Sequence, residues 1–67
     1  MIYEIIQKDG LETIHMKDSL REVYLTKAQQ ISLSLIENGV QKDLKIFSQS
    51  EEDKAEQTAD FWMMRWL

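Results

Sequence analysis

The chain has no cysteine, no proline, two glycines and one histidine among its 67 residues. Without cysteine it can form neither a disulfide nor a thiolate-held zinc site. Small domains commonly rely on such staples, so self-association is their expected substitute. The same absence suits a reducing compartment. No apolar run approaches the roughly 20 residues that span a bilayer. Residues 1–9 lack the basic start and apolar stretch of a secretion signal. A soluble, cytoplasmic chain without a membrane contact is expected.

With glycine confined to Gly10 and Gly39, no glycine-rich phosphate loop, dinucleotide fingerprint or nucleophile elbow can be written into the sequence. A basic cluster is missing as well. The net charge is −4, from 12 acidic and 8 basic side chains, and it divides as −1 over residues 1–17, −1 over 18–40 and −2 over 41–67. Nonspecific nucleic-acid binding rests on Lys and Arg neutralising phosphates, so nucleic acid is not expected as a direct ligand.

What is present describes a folded domain, 43% hydrophobic and 30% charged. A chain this short buries only about 60% of its unfolded surface, which leaves a small core. No repeat or low-complexity linker divides it, and one domain over 1–67 is expected.

Residues 2–7 and 11–16 flank Asp9-Gly10, a dipeptide suited to a two-residue hairpin turn. With that loop, Ile5 faces Ile14, Tyr3 faces Met16, Glu4 faces His15 and Ile6 faces Thr13. The pairing collects Tyr3, Ile5, Ile14 and Met16 on a core face and leaves the other face half-solvated. Two capping boxes then compete, Ser19 with Glu22 and Thr26 with Gln29. The later one gives a third strand over 21–25 and a helix over 26–38 that buries Ala28, Ile31, Leu35 and Ile36 and is closed by Gly39. The earlier one would make 19–38 a single helix. A short strand over 44–47 follows. Ser48 and Glu51 form a further capping box for a last helix over 51–66, with Glu51, Glu52 and Asp53 at the positive end of its dipole.

The expected fold is α+β: a small antiparallel sheet of three to four strands with two helices on one face, order β-β-(β)-α-β-α. On the last helix Ala55, Ala59, Trp62 and Trp66 align as a buried stripe with Met63 beside it. Phe61 and Met64 fall well off that stripe and, with Arg65, are of residue types enriched at protein interfaces. Leu33 points away from the expected buried face of the helix over 26–38 and is a second candidate contact.

Chemistry is scarce. His15 opposite Glu4 reads as a cross-strand charge pair, and the acidic run 51–53 as helix-dipole compensation without calcium-loop spacing. No catalytic residue, cofactor or metal ligand is assigned. The expected function is a non-enzymatic, acidic protein-binding modulator, an inhibitor or adaptor of a larger cellular protein, with phage and mobile-element accessory proteins as an analogy of size and composition. The partner is another protein, and a homodimer is an alternative assembly. Two rivals are a dimeric transcription or nucleic-acid-associated regulator using Lys8, Lys17, Lys42 and Lys45, and an oligomer with a shared pocket at His15.

Overall fold

A computed structural model describes residues 2–64. Five strands run in simple up-and-down order: β1 (Ile2–Lys8), β2 (Leu11–Lys17), β3 (Arg21–Lys27), β4 (Gln30–Glu37) and β5 (Val40–Ser48). Each pairs antiparallel with its sequence neighbours, giving one sheet in the order β1-β2-β3-β4-β5. A single 3₁₀ turn, Gln49–Glu51, leads into the helix α1 (Glu52–Met64). The Glu51 carboxylate accepts from the Ser48 N–H at 3.2 Å, which anchors the turn.

The first hairpin forms in the expected register, Tyr3 to Met16, Glu4 to His15, Ile5 to Ile14 and Lys8 to Leu11. Asp9 and Gly10 both take positive φ, 54° and 77°, as a type I′ turn requires. The expected α+β arrangement of two helices on three or four strands is overturned. The helix expected over 26–38 is the end of β3, a tight connection and β4, and the strand expected over 44–47 is part of the longer β5.

The physical reason lies in residues 30–37. Ile31, Leu33 and Leu35 alternate with Ser32 and Ser34, so one side of a strand is fully apolar, and that side is buried. A helix would have divided these leucines between core and solvent. Gly39 is not a helix cap either. Asn38 and Gly39 have φ of 55° and 78° and build a second turn of the Asp9-Gly10 kind.

The sheet has one covered face. Along it, residues from successive strands line up in rows: Tyr3, Met16, Val23, Leu35 and Asp43 in one, Ile5, Ile14, Leu25, Leu33 and Lys45 in the next. α1 lies across β3, β4 and β5, with Ala55, Ala59, Trp62 and Met63 buried against them. Two alanines followed by two large side chains let the helix sit close at its start and fill the gap at its end. Ile14 and Phe47 close the margins of this core.

Arg21 anchors the far end. It is 1% exposed, its Nη1 donates to the Trp62 carbonyl oxygen, and its Nη2 donates to Glu37 at 2.6 Å. A cation is thus held at the negative end of the helix dipole.

Candidate functional site

The expected contact residues scatter. Leu33 is 0% exposed, at the centre of the core face of β4. Its assignment as an outward contact is corrected, because it followed from a helix that does not form. Phe61 and Met64 are exposed on α1, off its buried stripe. Arg65 and Trp66 lie outside the described residues.

The lysines proposed for a nucleic-acid surface stand apart. Lys8 and Lys17 are at opposite ends of the first hairpin, Lys45 is on the covered face of the far edge strand, and Lys42 occupies the register slip between β4 and β5. Lys8 is engaged over the Tyr24 ring, 4.3 Å from its centroid.

The face without a helix is half-solvated, as expected, and carries a polar network. His15 is buried. Its Nδ1 lies 3.0 Å from Glu4 and its Nε2 2.9 Å from Glu22, and its ring stacks on Tyr24 at 4.4 Å and 10°. The Tyr24 hydroxyl donates to the same Glu22 oxygen at 3.0 Å. Thr13 and Thr26 are joined by a 2.9 Å hydroxyl bond in the neighbouring row.

Hydrogen bonding from His15 holds the Glu22 carboxyl below its usual range, against burial, with help from Tyr24 and Lys17. Burial, with Glu22 beside it, pushes the Tyr24 phenol up. Both ring nitrogens of His15 are engaged by carboxylates. The network fastens β1, β2 and β3 together. Among the described residues no cluster of three or more His, Cys, Asp or Glu is arranged to hold a metal ion, and no helix is long and apolar enough to cross a membrane.

The covered face ends differently at its two edges. On β5 the two core rows finish in Asp43 and Lys45, charged residues suited to water and to discouraging edge pairing. On β1 they finish in Tyr3 and Ile5, each 61% exposed. Exposure climbs along one row, from Leu33 and Leu25 in the core, through half-buried Ile14, to Ile5. The helix leaves the β1 end of both rows uncovered, whereas Met16 on β2 is buried in the core. Tyr3, Ile14, Met16 and Leu25 form the floor of a shallow trough beside α1, and Glu56 and Asp60 form its wall.

Glu52, Glu56 and Asp60 recur every fourth residue and run down one flank of the helix. Lys27 meets this row at one end, 3.2 Å from Glu52 and 2.7 Å from Glu56. With Glu56 as the principal cause, its ammonium is held above the usual lysine range.

The trough holds about 120 Å³, below the several hundred Å³ of pockets that enclose a small molecule. The acidic spacing was visible in the sequence, but the exposure of Tyr3 and Ile5 depends on how far the helix extends sideways. The chain matches no family model, no curated protein and no solved structure.

Proposed function

We propose that this chain is a non-enzymatic protein-binding modulator, an inhibitor or adaptor acting in the cytoplasm, whose docking surface is the uncovered part of the helix side of the sheet. One observation carries the reading: the apolar rows run on to the β1 edge as exposed Tyr3 and Ile5, whereas at the β5 edge they end in charge. Neighbouring large apolar side chains left open on a small domain mark interaction surfaces. A tyrosine beside aliphatic side chains is the composition found at the centre of protein interfaces. The outer side of α1 exposes the apolar side chains of Phe61 and Met64 as well. The polar network on the opposite face ties β1, β2 and β3 together.

The test is capture by the immobilised chain beside a Tyr3→Ser, Ile5→Ser double variant, with circular dichroism showing both folded. The expected result is a protein retained by the wild type and lost from the variant. Equal retention by both would overturn the docking surface.

A further inference from the structure

We infer that the occupant of the trough is a single amphipathic α-helix of a partner protein, with Lys or Arg along the flank that meets α1. The inference rests on the reading of the chain as a protein-binding domain and adds the shape and charge of what it binds.

The shape follows from widths. Strands in a sheet are about 4.8 Å apart, so five strands measure roughly 19 Å from first to last. A helix with its side chains is about 10 Å across. The sheet therefore offers two helix seats side by side, and α1 takes the one over β3, β4 and β5. The remaining seat lies over β1 and the Ile14 end of β2, since Met16 on β2 is already buried in the core. β1 has seven residues, roughly 23 Å at 3.3 Å each, the length of about four helical turns.

The charge follows from the wall. The carboxylates of Glu52, Glu56 and Asp60 stand at every fourth position, the spacing at which residues on a neighbouring helix can be met repeatedly. Flanking charges of this kind select the partner of a packed helix pair. Lys27 offsets only the first two. An occupant with an apolar stripe on Tyr3, Ile5 and Ile14 would bring its flanking cations to Asp60 and Glu56. A second copy of α1 suits the seat poorly, since its Glu52–Met64 span has four acidic residues against the single cation Lys54.

The test uses the full chain, labelled at isoleucine methyls, and three synthetic 15-residue peptides. One has a leucine stripe flanked by lysine, the second has glutamate in place of lysine, and the third repeats the first with a central proline. The lysine peptide should shift the Ile5 and Ile14 methyls and bind at least about tenfold tighter than the glutamate peptide, a gap that closes with salt. Asp60→Lys should weaken it about fivefold and Lys27→Ala should strengthen it, because Lys27 competes for the same carboxylates.

Equal binding of lysine and glutamate peptides overturns the charge assignment. Equal binding of the proline peptide overturns the helix in favour of a strand added to β1. Concentration-dependent shifts of Ile5 without peptide make a second copy the occupant. If no peptide binds while cellular capture still requires Tyr3 and Ile5, the helix inference fails and the protein-binding reading stands. If capture is also insensitive to those residues, both fail.

Discussion

The Arg21 guanidinium donates to the carbonyl oxygen of Trp62, joining the start of β3 to the end of α1 across 41 positions of sequence. The same side chain holds Glu37 on β4, so three elements meet on one buried cation. Removing one partner of a buried pair leaves the other uncompensated, at a cost of about 3–5 kcal/mol. Glu37 is partly solvated, which places Arg21→Ala near the lower figure. A domain this size has a total stability of roughly 3–10 kcal/mol, so the variant should lose much of it. Arg21→Lys keeps the charge without the two-pronged donor and should fall between the two. Urea unfolding followed by circular dichroism checks the order. Equal midpoints for all three proteins would mean that the cation is not what holds the helix end.

On the opposite face, acid should loosen the His15 network through Glu22. Its folded-state carboxyl titrates below the usual range, chiefly because of the hydrogen bond with His15. A group whose value is lowered by folding contributes its stabilisation above the unfolded value, about 4.3, and loses it as pH falls through the folded one. Wild type should therefore exceed Glu22→Gln in stability at pH 6, and the gap should close on acidification below about pH 4. Urea midpoints of both proteins across that range give the comparison. A gap that stays constant to pH 3 would show that Glu22 is not held in this way.

Gly39 is held at a φ of 78° with no atom within 4 Å of the place a Cβ would take. Gly39→Ala therefore costs conformational energy alone, about 1 kcal/mol. Gly10, at 77° with equally open surroundings, should behave the same way. Asparagine tolerates this region of backbone space better than alanine, so Gly39→Asn should recover part of the loss. Thermal unfolding of the three variants tests the ranking. A Gly39→Ala variant as stable as the wild type would mean that position 39 does not need a positive φ.

The two glycines also explain what the sequence disclosed and what it concealed. Asp9-Gly10 sits between two alternating runs and has one sensible interpretation, and the first hairpin follows from it in register. Asn38-Gly39 has the same chemistry but follows a segment in which Ile31, Leu35 and Ile36 also satisfy a helical spacing. Closing a helix and turning a hairpin both call for positive φ, so the dipeptide cannot choose between them. What decides is pairing: β5, and the edge of β3 that faces away from β2, find a partner only if 30–37 is a strand. The buried stripe of α1 was legible because Ala55, Ala59 and Trp62 fit one period only. Leu33 was misplaced for the same reason as its element. The trough was concealed more deeply, since Tyr3 and Ile5 have the composition of a core face and become surface only because one helix, not two, covers the sheet.

Ile5 and Leu33 lie in the same row of the sheet, and their difference in burial predicts a difference in cost. Truncating a buried leucine removes its transfer energy and leaves a cavity, so Leu33→Ala should destabilise by about 2–5 kcal/mol. Ile5 leaves no cavity and has little burial to lose, and Ile5→Ala should cost under about 1 kcal/mol, most of it β-propensity. Tyr3→Ala should resemble Ile5→Ala. Urea unfolding of the three variants provides the test. Small costs at both β1 positions would mean that folding makes little use of the two apolar side chains, which leaves docking as the physical reason for their place at the edge. A cost at Ile5 as large as at Leu33 would instead make Ile5 part of the core and remove the basis for an uncovered seat.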